Sequence, residues 1–485
     1  MKHLTLLLAL CATTGLLSAQ TAVVKTFEFS PSYDAGHKVL PDGTGYVIFG
    51  NRRQNSTDPQ RDVFLLRVNA AGEQTALYTY GNASSSEGSP EGMGLCAAAN
   101  GWVLATDRKE STPGTPSKAW ILKVNTSGTV VWSVLVSFPG LNSITMADVK
   151  QIPSGGFIAS GYGFSGGNRT MVALRVSEDG LLEWSQKYSL GSGIALMVSP
   201  GGNSCFVAGG SKIWKIRTNN GALVWERSLA LPAYGPASGS VSIDLQGITA
   251  TSTGNFAVAG QISNDDLLEY NSAYYVASWA ESGEPLWSRI SHSAPITGFG
   301  FNEASSIQYL SNARELLVGG TADGHLLITR FNLSGQEVKN ATITADGEFF
   351  SPNVIKNGGN YVATAGVLTD GVNVNTFFYR SAGNALALNG NIPGNNTQAT
   401  RRAPASLYPN PVAGSQITLD FECETPDAEW VFRLIDAQGR WVRDFSSPVF
   451  QGPNQLRIDV ADLSAGLYWL EAPAANWPPL MLVKR

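Results

Sequence analysis

The sequence predicts an all-β protein, a seven-bladed β-propeller followed by a small C-terminal β-sandwich. Three observations carry this reading. A strand closed by a turn glycine recurs seven times, at a mean interval of about 52 residues that lies near the length of a propeller repeat. The composition is rich in turns and poor in charge, with 52 glycines, 12 tryptophans and 15% charged residues in a chain of 485. Residues 405–485 then leave the repeat and alternate apolar and polar side chains on their own.

Taken in chain order, the first element is a signal peptide over 1–19. Met1-Lys-His3 is a short basic start, Leu4 to Leu10 an apolar core, and Leu17-Ser-Ala19 supplies small residues before Gln20, so cleavage is expected after Ala19. Cys11 does not make this a lipoprotein signal, because Leu10 before it is bulky where a small residue is needed. No other apolar run approaches the ~18 residues that span a bilayer, so no transmembrane segment is expected.

The propeller is assigned to 20–388. Its turn glycines are Gly72, Gly128, Gly180, Gly221, Gly283, Gly335 and Gly383. Upstream of each lies an apolar strand ending in a small residue, as in Gly45–Gly50, Gly156–Gly161, Cys205–Gly209 and Asn255–Gly260, with Thr106 standing in the glycine's place in repeat 2. Four positions after the turn glycine come Trp132, Trp184, Trp225 and Trp287, read as packing between blades. Repeat 3 divides into four strands, about Ile144 to Ile152, Phe157 to Gly161, Met171 to Ser177 and Leu181 to Tyr188. Repeat 7 lacks a fourth strand after Gly383, and Thr21 to Phe29 is expected to supply it, closing the ring and hiding a sheet edge.

A Gly/Asn/Pro/Thr linker over 389–404 separates the tail. There Ile417, Leu419 and Phe421 alternate with polar residues, as do Leu456, Ile458 and Val460, and Phe432 to Val442 reads as strand, turn and strand about Gly439. Tyr408, Pro409, Asn410 and Pro411 open this domain; Asp436 to Arg440 form a D-x-x-G-R turn; Ser464 to Tyr468, through Gly466, form an S-A-G-L-Y strand; Lys484 and Arg485 end the chain. Together these elements closely resemble the type IX secretion system C-terminal sorting domain, type A, of Bacteroidota. The resemblance implies recognition by the outer-membrane export machinery after Sec transfer to the periplasm, with the cargo released or attached to the cell surface. An ordinary accessory sandwich is the alternative, since fold does not fix function.

Several repeats, above all Trp214 to Trp225, resemble the quinoprotein-type propeller repeat over roughly residues 21 to 388, and the repeat length is close to that of kelch blades. The resemblance stops at the repeat. No residues match its cofactor or metal site, so no cofactor and no metal are assigned. Cys96, Cys205 and Cys423 show neither a paired framework nor metal spacing and are read as small buried hydrophobes. His37, His292 and His325 form no metal-spaced pair, and no G-x-S-x-G, H-E-x-x-H or Walker loop occurs, so no catalytic residues are assigned. A basic residue five before the turn glycine, Arg67, Lys123, Arg175 and Arg330, is read as pairing with carboxylates or carbonyls between strands. A net charge of −5 argues against nucleic acid as a partner.

Function is expected where loops are long. The connections Asn51 to Arg61, Asp107 to Lys118 and Gln261 to Asn271 all join second to third strands and therefore open on one propeller face, where binding groups are usually carried. The candidate binding residues are Arg52, Arg53, Arg108, Lys109, Glu110, Asp265, Asp266 and Glu269. The last three lack the D-x-D-x-D-G pattern of a calcium loop. Two readings stand. One is an exported, surface or secreted scaffold that binds protein or glycan; the other is an extracellular hydrolase, lyase or dehydrogenase working in the central channel.

Overall fold

The computed structural model describes residues 23–29, 33–53, 60–82, 84–89, 92–112, 114–231, 240–251, 254–265, 270–291, 302–343, 348–356, 362–369, 374–381, 406–408, 412–423, 428–436, 440–449, 452–472 and 480–485. The chain divides into two compact units, 1–395 and 396–485. The expected signal peptide over 1–19, the expected linker over 389–404 and Gly383 lie outside the described residues.

In the first unit the described strands form seven sheets, each a meander of antiparallel strands from inside to outside. Blade 1 comprises Asp34–Asp42, Gly45–Arg52, Asp62–Val68 and Gln74–Tyr80. Blade 2 has a split inner strand, Ser85–Glu87 and Gly94–Ala98, followed by Gly101–Glu110, Lys118–Asn125 and Val130–Val136. Blade 3 is Ser143–Gln151, Phe157–Ser165, Asn168–Val176 and Leu182–Leu190. Its second and third strands run further than expected and meet in a tight Gly166-Gly167 turn with positive φ at both glycines. Blades 4, 5 and 6 have inner strands Ala195–Val198, Val241–Ala250 and Glu303–Leu310 and outer strands Leu223–Ser228, Pro285–Ser291 and Glu337–Ile343. Blade 7 is Glu348–Lys356, Val362–Thr369 and Val374–Arg380, with Val23–Phe27 from the start of the chain as its outer strand.

Each inner strand touches the inner strands of both neighbouring blades, and the series returns from Glu348–Lys356 to Asp34–Asp42. The ring is closed. Closure leaves the core as layers between blades, with side chains such as Phe157, Phe206, Phe256 and Phe349 fully buried there.

The turn glycines have two reasons to be glycine. Gly180, Gly221 and Gly335 have φ of 80°, 72° and 80°, which a side chain disfavours. A Cβ would also collide with the preceding blade's tryptophan, at 2.6 Å from Trp132, 2.8 Å from Trp184 and 2.6 Å from Trp287 respectively. Those indoles then donate Nε1–H to turn carbonyls, Trp132 to Glu178 at 2.9 Å, Trp184 to Thr218 at 2.9 Å and Trp287 to Leu333 at 2.7 Å. The repeated tryptophan therefore fastens one blade to the next blade's turn. The repeated basic residue does related work: Arg67 pairs with Asp42 at 2.7 Å and donates to Thr126 O, Lys123 pairs with Glu178 at 3.5 Å, Arg175 with Glu183 at 2.6 Å, and Arg330 with Glu315.

The small residue closing each second strand answers to a different demand. Opposite Gly50, Gly161, Gly260 and Gly320 the inner strand bulges, leaving His37, Ala147, Gln246 and Ser305 out of the pairing register. The bulge drives an inner-strand carbonyl onto the glycine: a Cβ on Gly161 would sit 2.0 Å from Thr145 O, and one on Gly320 1.9 Å from Glu303 O. Blade 2 tolerates Thr106 because its inner strand leaves the sheet between Glu87 and Gly94, where the crowding carbonyl would be. In blade 4 a Cβ on Gly209 would lie 1.8 Å from Ser192 O, so Gly209→Ala is expected to cost roughly 1–3 kcal/mol or more. Chemical denaturation checks this, with Gly201→Ala as the control, since the nearest atom to its added Cβ is 3.9 Å away.

The second unit packs two sheets face to face. One holds Ser406–Tyr408, Gln416–Cys423 and Gly452–Asp459; the other orders Trp441–Val449, Ala428–Asp436, Gly466–Glu471 and Leu480–Lys484. The alternating residues Ile417, Leu419, Phe421, Ile458 and Val460 fill the core with Phe432, Leu434 and Leu482.

Candidate functional site

The bulges decide what faces the propeller axis. A cavity of about 370 Å3 is lined by His37, Ala147, Gln246, Ser305 and Ser351, which are bulge residues of blades 1, 3, 5, 6 and 7, together with Lys38, Asp244, Glu303 and Asn353. Ser351 takes φ of 44°, a left-handed conformation rare for a residue with a side chain. A second cavity of about 280 Å3 shares Lys38, Gln246, Ser305 and Asn353 and continues past later residues of the same inner strands, such as Lys150, Gln308 and Ile355. The inner strands therefore run in one direction down a common channel. Its upper end lies on the face where second strands turn into third strands.

Polar groups at this mouth are electrostatically unlike their free forms. Burial holds the His37 ring down to about 4, reinforced by Lys38 and Arg61 and opposed by a hydrogen-bonding contact with Asn51 Oδ1 at 3.2 Å. Burial, with Asp244 beside it, pushes the Glu303 carboxyl up to about 7. Lys38 is lowered by burial against the attraction of Asp148.

Beside His37 the rim between blades 1 and 2 gathers charge. Arg53 and Arg61 each hold a guanidinium carbon 5.4 Å from the centre of the Tyr33 ring. Their backbones are pinned: Arg53 N donates to Tyr33 O at 3.0 Å, Arg61 N to Ser86 Oγ at 3.1 Å, and Glu87 N to Arg61 O at 2.7 Å. Arg52 ends its strand and reaches Phe29 O at 3.4 Å. Asn51 Nδ2 donates to Gly88 O at 2.8 Å, tying the two blades together. Asp107 is spent on Ser89 N at 2.8 Å, and burial pushes its carboxyl up to about 6.

Arg108, Lys109 and Glu110 lie on a strand rather than in a loop, because Glu110, Lys109 and Arg108 pair with Ser85, Ser86 and Glu87. Arg108 sits between Glu87 at 3.5 Å and Glu110 at 3.4 Å and over the Trp120 ring, while Lys109 is exposed. Glu87 is buried, and burial pushes it up to about 7 against its bond from Ser85 and the pull of Arg108. The structure thus joins the blade 1 and blade 2 candidates through Arg61 and Glu87. Asp265 ends the second strand of blade 5; its side chain, Asp266 and Glu269 lie outside the described residues. His292 lies there too, and His325 begins a strand in blade 6. Cys96 and Cys205 are free and buried, burial pushing the Cys96 thiol up to about 12.

Tyr33, Arg61, Glu87 and Asp107 were not singled out in the sequence. The one available signal was the density of charge flanking the long connections of blades 1 and 2. The channel residues carry no motif at all; the small residue opposite each bulge is their only trace.

In the second unit Tyr408 ends a strand paired with Thr418, and Pro409, Asn410, Pro411 and Gly439 lie outside the described residues. Asp436 and Arg440 close their turn with backbone and side-chain bonds and an ion pair at 2.7 Å. Gly466 opens a strand, buried Tyr468 donates its hydroxyl to Ser464 O at 2.9 Å, Lys484 Nζ donates to Gly414 O at 2.6 Å, and Arg485 N to Val412 O at 2.9 Å. Residues 406–476 match the family model described as a secretion system C-terminal sorting domain. These residues carry a type IX secretion system sorting domain. The sorting domain directs export to the cell surface or secretion in Bacteroidota.

No curated protein sequence matches the chain. Among solved structures, a protein of unknown function from Bacteroides caccae is similar at 17% identity and TM-score 0.34, covering 51% of this chain and 79% of its own. The polysaccharide lyase Uly1 aligns at 9% identity and TM-score 0.42, covering 73% and 90%. The WD40 domain of Neurospora crassa Pan2 aligns at 9% identity and TM-score 0.45, covering 72% and 89%.

Proposed function

We propose that the chain enters the periplasm through a Sec signal at 1–19, leaves the cell through the type IX machinery, and works outside as a scaffold whose propeller binds a protein or glycan at the channel mouth. The observation that carries this is the bulge ring. Five blades break their own pairing to aim one side chain each into a single polar cavity, and bulges next to ligand sites commonly re-aim side chains in this way. The cavity of about 370 Å3 is in the size range of ligand pockets, and rigid strands place its groups.

The test is a screen of the purified propeller against glycans and secreted proteins, with and without Ca2+. Saturable binding to one class is expected, weakened at least about tenfold by Gln246→Ala or Asn353→Ala, the scale expected from losing a buried hydrogen bond. Binding untouched by both substitutions would remove the channel mouth from the reading. An extracellular enzyme is the competing function, favoured by Glu303, whose carboxyl at about 7 can carry a proton at neutral pH. A bound ligand recovered chemically altered, and recovered intact from Glu303→Gln, would establish it instead.

A further inference from the structure

Arg52, Arg53 and Arg61 differ from the other half-buried arginines of the ring in what they lack. Arg108, Arg175 and Arg330 each have a buried Nε without a hydrogen bond, yet each has a carboxylate within ion-pair distance. Arg52, Arg53 and Arg61 also have buried Nε atoms without a hydrogen bond, and among the described residues none of the three has an ion pair. Buried charge is normally paired, because the cost of desolvating it is otherwise uncompensated.

Here two of these guanidinium groups, those of Arg53 and Arg61, are held together instead. Arg53 and Arg61 share one aromatic ring, their backbones are fixed from both blades, and burial together with the charge of Arg53 lowers the hold of Arg61 on its proton. The carboxyl that acts on Arg61, Asp107, is buried and committed to Ser89 N. A ligand oxyanion would supply the missing partner, and the planar guanidinium fork suits a carboxylate or a sulfate.

We propose that Arg53 and Arg61 form an anion subsite on the channel rim that takes the carboxylate or sulfate group of an acidic saccharide. The proposal rests on the reading of the channel mouth as the binding site. It favours a saccharide because the cavity next to the arginines, reached through Asn51 and His37, is lined by amide and hydroxyl groups such as Gln246, Asn353, Ser305 and Ser351, which match sugar hydroxyls.

The experiment titrates the full mature chain with galacturonate trimer, 6-sulfated galactose trimer, neutral galactose trimer and poly-glutamate at constant ionic strength, following heat of binding and melting temperature. One acidic trimer is expected to bind saturably, and which one binds identifies carboxylate or sulfate as the group recognised. Arg53→Gln and Arg61→Gln are each expected to weaken it at least about tenfold, since bonds to charged groups are the strong ones. Their melting temperatures without ligand should hold or rise, because removing one of several unpaired like charges relieves repulsion.

Equal binding of neutral and acidic trimers, preference for poly-glutamate, no saturable binding of either acidic trimer, or affinity unchanged in both arginine variants would overturn the proposal. Gln246→Ala separates it from the reading beneath it. Acidic binding lost in Arg61→Gln but kept in Gln246→Ala keeps the subsite and removes the channel; loss in Gln246→Ala alone keeps the channel and removes the subsite.

Discussion

Deletion of residues 405–485 is expected to leave a folded propeller stranded in the periplasm, with export essentially abolished. The folding half of this expectation comes from the cores. The tail packs Ile417, Leu419, Phe432, Leu434, Tyr468 and Leu482 against one another, and the seven sheets of the first unit close their ring with contacts among themselves. Units with separate cores joined by a Gly/Asn/Pro/Thr stretch fold separately as a rule. The export half comes from the sorting domain, whose turn at Asp436 and Arg440 and terminal Lys484 and Arg485 are tied into the unit by their own bonds. Cell fractionation and protease accessibility would locate the truncated protein, and a thermal melt would show whether it is folded. A truncated chain found on the surface, or one unable to fold, would overturn the division of labour.

How much of this was legible depends on where each constraint resides. The turn glycines show in the sequence because two demands, positive φ and close contact with a side chain of the preceding blade's outer strand, a tryptophan at Gly180, Gly221, Gly283 and Gly335, select the same residue in repeat after repeat. The glycine closing the second strand is equally visible as a pattern, but its cause is not. That cause is a register shift in the partner strand, and register is a property of two segments rather than one. The channel residues follow from the same shift. His37, Ala147, Gln246 and Ser305 have no chemistry in common, so nothing marks them as a set until the sheets are assembled. Arg108, Lys109 and Glu110 resembled a loop because their partner strand, Ser85–Glu87, is too short to show alternation. In the tail, by contrast, Asp436 and Tyr468 bond to residues four positions away, so their motifs are local and the family is recognisable from them.

Removing residues 20–30 is expected to destabilise the whole propeller, by an amount greater than loss of one ordinary edge strand. Val23–Phe27 pairs residue for residue with Arg380–Thr376 and is the outer strand of blade 7. It also reaches across the seam. A Cβ on Gly72, in the blade 1 turn, would lie 2.7 Å from Val23 and 2.8 Å from the Lys25 side chain, so this strand occupies the place that a tryptophan holds in other blades. Phe27 is buried with Val39, Tyr46 and Phe64 of blade 1 and with Ala363 and Phe378 of blade 7, and Phe29 packs edge-on against Phe64 at 5.4 Å. Losing Phe27 alone should cost about 3 kcal/mol, the usual scale for a buried aromatic cut to alanine. The full deletion adds a row of unpaired backbone groups along Val374–Arg380, which invites edge-to-edge association. At about 2–4 °C per kcal/mol for a domain of 150–250 residues, and less for a larger one, Phe27→Ala should lower the melting temperature by several degrees and the deletion by on the order of 10 °C. Light scattering should show the deletion variant, and not Phe27→Ala, forming dimers or larger species. An unchanged melting temperature after deletion would mean that the seam between blades 7 and 1 holds without its shared strand.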